Sequence, residues 1–298
     1  MTESKSSAMR LFQWLGMEKV AWALRRLHCP VAAEALVLEV GSGGNPYPRS
    51  NVLLDAYVET RERHWVPLKS DRPTVLGFAE TLPFKDKSFD FVIASHVLEH
   101  STDPESFLRE LQRVAKAGYI EVPDAFMERI NPYRDHRLEI TVRREKLVIR
   151  KKPQWVVDGT LVELYSDRAK PYIAGNLIPS HPFAFHVRYY WNEQINFMVL
   201  NPEVDASWQH PADQVERTKV SSDGIKQKIL DVLRYLMSQR TRNRNIDLIP
   251  LLRCPTCHAH DLMKNKACFV CRTCGVSYKV SHGITTLYPQ TPKGSVCP

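Results

Sequence analysis

The first thirty residues carry apolar positions at helical spacing. Between Ala8 and Leu27, apolar side chains recur on one face, with Arg and Lys between them. This pattern predicts one amphipathic helix or two short ones, ended by Pro30. Such a segment could lie on a membrane surface, but the favoured interpretation is packing against the following domain as a lid or brace.

Between residues 36 and 123, short apolar runs alternate with loops and a helical pattern. The runs predict strands over residues 36–40, 52–55, 89–94 and 119–123, with a helix from Pro104 to Ala115. Near-continuous apolar strands are typical of a parallel sheet covered by helices on both faces. The pattern therefore predicts an α/β fold.

Beyond Asp124 the period changes, and the pattern predicts two hairpins. One pairs residues 138–142 with 147–151, and the other pairs 185–191 with 195–200 around Asn192–Gln194. Residues 202–224 are polar and predict a linker, and a helix is predicted from about Ile225 to Gln239. The predicted division is an N-terminal helical segment (1–30), a main domain (31–201) with an insertion at about 125–184, a linker and helix (202–245) and a C-terminal module (246–298).

Composition narrows the class of protein. The 298 residues are 43% hydrophobic and 25% charged, which excludes a disordered chain. No apolar run reaches the roughly 20 residues of a membrane span, and the N-terminus lacks a secretory pattern, so a cytoplasmic protein is expected. The net charge is +8, and from Arg240 onward nine Lys/Arg face only two Asp/Glu. These basic residues could bind RNA or an anionic lipid, or they could form an ordinary solvated surface.

The loop after the first predicted strand is rich in glycine. In an open parallel sheet, ligands bind at the carboxyl ends of the strands, and glycine lets them approach the backbone. A P-loop would end in Gly-Lys-Ser/Thr, which is absent, and a dinucleotide fingerprint would need glycine where Pro46 stands. The pattern that the sequence does contain is an acidic residue within the strand, Glu39, followed by Gly41-Ser42-Gly43. A second acidic residue, Asp55, stands at the end of the next strand.

This arrangement resembles the class I S-adenosylmethionine-dependent methyltransferases over about residues 34–124. The resemblance implies a Rossmann-like, mostly parallel sheet whose glycine loop holds the methionine part of S-adenosylmethionine. Glu39 would lie near the cofactor's ammonium group, and Asp55 would accept the two ribose hydroxyls. Asn45 stands where the family has a third glycine. The loop residues so assigned to the cofactor are Gly41, Ser42, Gly43 and Asn45.

The segment Gly77–Phe84 resembles the family's next signature, Gly-Asp-Ala-Glu-x-Leu-Pro-Phe. Phe78 replaces the aspartate near the adenine amino group, and the resemblance leaves Ala79 and Glu80 as candidates for this contact. Ala94–His100 resembles the stretch after the fourth strand, which lines the junction of cofactor and acceptor. Ser95 is assigned to the cofactor on this basis.

Four residues are candidates for acid–base catalysis: His96, His100, Asp124 and His136. A base within hydrogen-bond reach removes the proton of a hydroxyl or amine acceptor, and histidine suits this task with an unperturbed pKa of about 6.5. If residues 95–100 begin a helix, His96 and His100 lie on one face, which could equally pack against the sheet. Because no third ligand is evident from the spacing, this pair does not predict a metal site.

Four cysteines near the C-terminus form two CxxC pairs separated by thirteen residues. In a reducing compartment this spacing predicts a closed tetrahedral zinc site, which would stabilise a module too small to fold on its own core. A redox pair would need only one CxxC. The predicted ligands are Cys254, Cys257, Cys271 and Cys274.

The cysteine module resembles the small zinc-ribbon activators that partner RNA- and protein-modifying methyltransferases. Its end, Gly283-Ile284-Thr285, has threonine where that family has proline. The resemblance implies strand addition to an exposed sheet edge, here in cis.

Three hypotheses on function remain open. The first is a methyltransferase acting on a small molecule, a sugar or a lipid-linked intermediate. The second is an RNA or protein methyltransferase that uses the ribbon and the Arg240–Arg244 cluster for binding. The third is an inactive scaffold with a methyltransferase fold, suggested by Phe78 and Asn45. The sequence does not indicate the oligomeric state.

Overall fold

The computed structural model describes residues 4–155, 158–208, 232, 236–265 and 268–290. The chain divides into two compact units: Met1–Pro30, Ala94–Glu105 and Tyr119–Val215 form the first, and Val31–Ile93, Ser106–Gly118 and Glu216–Pro298 form the second. The linear division expected from the sequence stays a prediction. Most of the predicted helix at 225–239 and residues 209–224 of the predicted linker lie outside the described residues.

The second unit is built on parallel strands, and all but the third match predicted ones. Its strands are β1 (Val37–Val40), β2 (Val52–Asp55), β3 (Thr74–Leu76) and most of β4 (Phe89–Ser95). β1 pairs in parallel with β2, and β2 with β3. The first three strands are buried along their whole length, as expected for a sheet covered on both faces. The fold class predicted from the sequence, a mostly parallel α/β sheet, is confirmed.

The cysteine module extends this sheet at the β3 edge. Its strands are β10 (Leu262–Asn265), β11 (Cys268–Cys271), β12 (Ser277–Ser281) and β13 (Ile284–Thr286). β10 to β13 form an antiparallel meander, and β13 pairs in parallel with β3 through Thr285–Val75 and Thr286–Leu76. The order within this unit is β10-β11-β12-β13-β3-β2-β1-β4. Strand addition in cis, predicted from the ribbon resemblance, is thus what the structure shows.

Among the described residues, the helices are short. They are α1 (Ser7–Trp14), α2 (Glu18–Leu24), α3 (Pro104–Val114), α4 (Ala125–Ile130), α5 (Gly159–Leu164), α6 (Pro182–Phe185) and α7 (Arg240–Arg244). Between α5 and α6 the helical run continues through Tyr165–Ala169, Lys170–Tyr172, Ile173–Leu177 and Ile178–Ser180. 3₁₀ turns lie at Arg25–Leu27, Arg61–Arg63, Ala79–Thr81, Leu98–His100 and Ile249–Leu251. In the described part of the chain, no helix has the length and apolarity needed to cross a membrane.

The first unit confirms one predicted hairpin and corrects the other. β6 (Leu138–Arg143) and β7 (Lys146–Lys151) pair antiparallel, as predicted. β8 (His186–Asn192) and β9 (Phe197–Val199) do not form the second hairpin, because β9 pairs in parallel with β7. β8 instead neighbours β5 (Ala115–Pro123). The apolar pattern placed both strands but did not specify their partners.

The N-terminal segment packs within the first unit. It forms two short helices, one of the two predicted forms, and the indole of Trp22 meets the ring of Phe183 edge to face with centroids 5.1 Å apart. Arg25 stacks on Trp22 and forms an ion pair with the buried Glu121 at 2.7 Å. These contacts correspond to the predicted brace.

Candidate functional site

The glycine loop after β1 turns tightly onto β2. The backbone N–H groups of Gly41 and Ser42 both donate to the Leu54 carbonyl, at 2.8 and 3.1 Å. Gly43 has φ of 56°, in the left-handed region that favours glycine. A Cβ on Gly44 would lie 2.5 Å from the Val66 side chain, so only glycine fits there. The loop is therefore close-packed backbone with no side chain on its tightest part.

Asp55 lies at the end of β2, buried to 95%, beside this loop. One carboxylate oxygen accepts the Gly43 N–H at 2.9 Å, and the other accepts the Tyr57 N–H at 3.1 Å. The guanidinium of Arg63 forms an ion pair with the latter oxygen at 2.7 Å. The other guanidinium donors of Arg63 bind the carbonyl oxygens of Tyr57, Val58 and Val66.

Three other predicted cofactor residues differ in burial and in hydrogen bonding. Glu39 is buried, and one of its oxygens accepts the Tyr47 N–H at 2.8 Å and the Ser50 hydroxyl at 2.5 Å, which braces the segment after the loop. The Ser42 hydroxyl is also buried, but it has no hydrogen-bond partner among the described residues. Asn45 is exposed. Ser42 is thus a polar group suited to a bound ligand.

Phe78, which replaces the family's aspartate, belongs to an aromatic cluster. Its ring lies 4.9 Å from that of Tyr288 and 6.3 Å from that of Tyr57, centroid to centroid. The Tyr288 hydroxyl donates to the carbonyl of Ala56, next to Asp55, at 2.5 Å. The segment after β13 therefore brings an aromatic ring to the ends of β2 and β3.

The next two predicted residues lie in the 3₁₀ turn Ala79–Thr81. Ala79 is buried, whereas Glu80 lines a cavity of about 380 Å³. The other lining residues are Thr81, Glu110, Arg113, Arg253 and His258. Arg253 approaches Glu110 at 3.4 Å, so this cavity is charged.

In the first unit, Ser95 and His96 both contact Glu121 of β5. The Ser95 hydroxyl donates to Glu121 at 3.1 Å, and the two ring nitrogens of His96 lie 3.4 Å from Glu99 and from Glu121. Burial alone would lower the pKa of His96, but its contacts with these two carboxylates raise that pKa to about 10. The two carboxylates therefore favour the protonated form of His96.

His100 and His136 lie together, with ring centroids 4.9 Å apart. The His100 ring nitrogen Nδ1 is 3.0 Å from the Asp135 carbonyl, and His136 Nδ1 is 2.7 Å from the Glu128 carboxylate. His96 and His100 do not share a helix face, because His96 has φ of 56° and only Leu98–His100 forms a 3₁₀ turn. The conditional expectation of a helix over 95–100 is therefore wrong.

Asp124 caps α4. Its carboxylate accepts the Phe126 N–H at 2.9 Å and the Thr141 hydroxyl at 2.7 Å. These bonds account for its local structure. The catalytic roles of Asp124 and of the three histidines stay predictions.

The four predicted zinc ligands converge in the cysteine module. The sulfur atoms of Cys254 and Cys274 are 3.7 Å apart, and those of Cys257 and Cys271 are 3.5 Å apart. Four thiolates around one zinc at about 2.3 Å would stand about 3.8 Å apart. Cys268 is buried in β11 and does not belong to the cluster.

Sequence reasoning missed several residues at these sites: Arg63, Glu99, Glu121, Glu128 and Tyr288. Glu121 carried a signal, since it is a lone charge within an apolar strand, and such charges need a partner. Glu99 stood within the motif that named its neighbours. Arg63 and Tyr288 lie in segments without periodicity, so nothing in the pattern indicated their positions.

A comparison with protein families finds one match in this region. A family model described as a methyltransferase domain matches residues 52–120, from β2 into β5. The ubiquinone/menaquinone biosynthesis C-methyltransferase UbiE of Xanthomonas oryzae is 37% identical over 92 residues, 27% of this chain and 36% of its own. Ajmaline N-methyltransferase of Rauvolfia serpentina is 44% identical over 43 residues, 14% of this chain and 15% of its own. The chain thus spans less than half the length of these relatives.

Similar solved structures include methyltransferases. An S-adenosylmethionine-dependent methyltransferase from Mesorhizobium loti has 11% identity and a TM-score of 0.33, covering 58% of this chain and 96% of that one. A complex between the Haloferax volcanii Trm112 methyltransferase activator and a methyltransferase has 19% identity and a TM-score of 0.28, covering 46% of this chain and 78% of that one.

Proposed function

We propose that this chain is an S-adenosylmethionine-dependent methyltransferase that acts on a polar small molecule, a sugar or a lipid-linked intermediate. The observation that carries the proposal is the pairing of a glycine loop after β1 with Asp55 at the end of β2. Asp55 also lies within the segment that matches the methyltransferase domain family. When bound, the cofactor supplies an electrophilic methyl group on a sulfonium.

The residues of the loop suit this cofactor. A ligand can approach the backbone of Gly41, Ser42 and Gly43 once the Arg63 side chain over Gly43 moves, and the buried Ser42 hydroxyl can bond to its methionine part. The Asp55 carboxylate can accept both ribose hydroxyls once Arg63 moves aside. No lysine belongs to the loop, which fits a cationic ligand without phosphate.

The aromatic cluster beside Asp55 offers a surface for adenine. Tyr57, Phe78 and Tyr288 present rings in place of the aspartate that the family uses here. Ring stacking recognises a base without a specific hydrogen bond, so Phe78 is compatible with cofactor binding. Within this proposal the C-terminal module helps to build the adenine site through Tyr288.

The chain's own part in methyl transfer is to bind, orient and move a proton. Alignment of acceptor and methyl group can supply several kcal/mol of the barrier. For a hydroxyl or amine acceptor, His100 and His136 are the candidate bases, because each is held at Nδ1 and keeps Nε2 for a second partner.

We also propose that the four cysteines hold one structural zinc ion. The sulfur separations of 3.5 and 3.7 Å support this assignment, since they are close to those of a tetrahedral thiolate site. Four protein ligands leave no position for a reactant, so the ion would stabilise the module that pairs with β3.

A second candidate function, a scaffold that binds no cofactor, is favoured by the ion pair between Arg63 and Asp55. Calorimetry with S-adenosylhomocysteine on the full chain separates the two. We expect binding, and we expect Asp55→Ala to weaken it more than tenfold, or about 1.4 kcal/mol. The fully exposed Asp205 gives the matched control, since Asp205→Ala should leave the affinity unchanged. Absence of binding to the wild type would favour the scaffold.

A further inference from the structure

Three side chains of the first unit converge in a way that the sequence spacing did not indicate. Glu99 and His100 lie on the 3₁₀ turn Leu98–His100, and His136 precedes β6. One potential ligand atom from each lies within 4.8 Å of the others. Two ligands at about 2.1 Å from one ion lie within about 4.2 Å of each other, so a small closure would suffice to bind a metal.

Both imidazoles are already held in the orientation that a metal ligand needs. His100 Nδ1 is fixed by the Asp135 carbonyl at 3.0 Å, and His136 Nδ1 by Glu128 at 2.7 Å. A metal-binding histidine is commonly oriented by a carbonyl or carboxylate on its other nitrogen. This arrangement leaves Nε2 of each ring for the ion.

Glu128 is itself firmly positioned. It is 96% buried, accepts the Tyr133 N–H at 3.1 Å and forms an ion pair with Lys152. Because these contacts fix its carboxylate, Glu128 fixes the ring of His136 in turn.

Glu99 distinguishes this cluster from an ordinary group of polar side chains. It is 98% buried, and neither carboxylate oxygen accepts a hydrogen bond from any described residue. One of these oxygens lies 3.4 Å from His96 Nδ1 and 4.0 Å from His136 Nε2. His96 offsets part of the charge of this buried carboxylate, and a metal ion bound to Glu99 would supply the ligand contact that hydrogen bonds do not.

We propose that Glu99, His100 and His136 bind a divalent transition-metal ion, with one carboxylate oxygen and two Nε2 atoms as ligands. Two imidazoles and a carboxylate suit ions such as Mn²⁺, Fe²⁺ or Zn²⁺. Three protein ligands leave coordination positions open for water or for an oxygen of a small molecule.

A cavity beside the cluster can hold a small molecule that binds the ion. It has a volume of about 190 Å³, and His136 and Glu128 line it. The other lining residues are Pro123, Met127, Asn131, Tyr133, Ile178, Phe185 and His186. The two Nε2 atoms are also those of the candidate bases His100 and His136, so a bound ion would take the place of that role. Metal binding is measured without cofactor or acceptor, so its failure and the failure of the proposed methyl transfer are distinguishable.

Mn²⁺ binding to the full chain, followed by electron paramagnetic resonance, tests the proposal. The protein is loaded with one equivalent of zinc, which the soft thiolates of the cysteine module take up, so that the Glu99 site is left for Mn²⁺. We expect one Mn²⁺ per chain. Glu99→Gln and His136→Gln should each weaken binding by at least about tenfold, and Glu128→Gln by about tenfold through the orientation of His136.

His181→Gln is the matched control, because this exposed histidine of the same unit lies 3.5 Å from Glu18 and is not a member of the cluster. It should leave the Mn²⁺ affinity unchanged. Thermal unfolding with and without Mn²⁺ distinguishes a variant that has lost a metal ligand from one that is misfolded. A folded variant without the site keeps its cooperative transition, but Mn²⁺ no longer stabilises it. If the wild type binds no Mn²⁺, or if the Glu99 and His136 variants bind it as the wild type does, the proposal is overturned and Glu99 serves only as a partner of His96.

Discussion

The guanidinium of Arg63 lies 2.7 Å from the Asp55 carboxylate, the group expected to receive the ribose of the cofactor. The aliphatic part of Arg63 also lies over the glycine loop, since a Cβ built on Gly43 would be 3.1 Å from the Arg63 Cδ. The same side chain therefore covers both parts of the proposed cofactor site. Cofactor binding requires Arg63 to give up at least its contact with Asp55.

Replacement of Arg63 should change cofactor affinity in the direction opposite to replacement of Asp55. Arg63→Ala removes the competing ion pair, so we expect S-adenosylhomocysteine to bind several-fold more tightly, as measured by calorimetry. Arg61→Ala, in the same 3₁₀ turn, is the control and should leave the affinity unchanged. An affinity of Arg63→Ala that is lower than that of the wild type would mean that Arg63 supports the site and does not compete for it.

Tyr288 links the C-terminal module to the proposed adenine surface. Its ring stacks near Phe78, and its hydroxyl bonds to Ala56. We expect Tyr288→Ala to weaken S-adenosylhomocysteine binding by roughly tenfold, because base–aromatic stacking contributes about 1–3 kcal/mol. Tyr288→Phe keeps the ring and should retain most of the affinity. Equal losses in the two variants would assign the effect to the hydroxyl bond and not to stacking.

Removal of zinc should destabilise the module that covers the β3 edge. We expect about one zinc per chain by elemental analysis, and a lower unfolding temperature after chelation, because the small module depends on its metal. Cys271→Ser should lose the zinc, whereas Cys29→Ser, outside the cluster, should retain it. Full stability of the metal-free wild type would contradict a structural role for the ion.

The ion pair of Arg25 with Glu121 holds the N-terminal segment on a buried charge. Burial alone would raise the pKa of Glu121, but contacts with His96 and Arg25 hold that pKa well below its usual range. We expect Arg25→Gln to lower the free energy of unfolding at pH 7 by about 3 kcal/mol, since it leaves a buried carboxylate short of a partner. Lys19→Gln, at an exposed position of α2, is the control.

The pH dependence of this difference has a defined sign. A carboxyl with a lowered folded-state pKa stabilises the protein above its unfolded pKa, about 4.5, and this contribution is lost as the pH falls through the folded value. The difference in the free energy of unfolding between wild type and Arg25→Gln, measured by denaturant unfolding, should therefore become smaller below about pH 4.5. If this difference stays constant down to pH 3, the ion pair of Arg25 with Glu121 is not its cause.

The elements set by local patterns were predictable from the sequence. β2 begins and ends where the apolar run and Asp55 placed it, and the β6–β7 hairpin follows from two alternating runs around a short turn. The three-residue strand β3 was missed because it is too short to show a period. The prediction that β9 pairs with β8 was wrong, because strand pairing is decided by tertiary contacts. β9 pairs with the edge of β7, which the apolar pattern does not reveal.

For the functional sites as well, local spacing was predictable from the sequence, and contacts made through the fold were not. The cysteines were predictable because ligand spacing is a local property, and the four sulfur atoms do converge. The cluster of Glu99, His100 and His136 was not, because His136 lies more than thirty residues beyond the other two and meets them only through the fold. Glu80 was assigned by resemblance alone, and it lines a cavity with Arg253, a residue far from it in the sequence.

A crystal structure of the full chain soaked with S-adenosylhomocysteine tests the central claim most directly. The account predicts electron density against Gly41–Gly43, with the ribose hydroxyls on Asp55 and the Arg63 guanidinium moved away from that carboxylate. Density for the nucleoside elsewhere, or a glycine loop that stays empty with Arg63 still on Asp55 at saturating ligand, would contradict it.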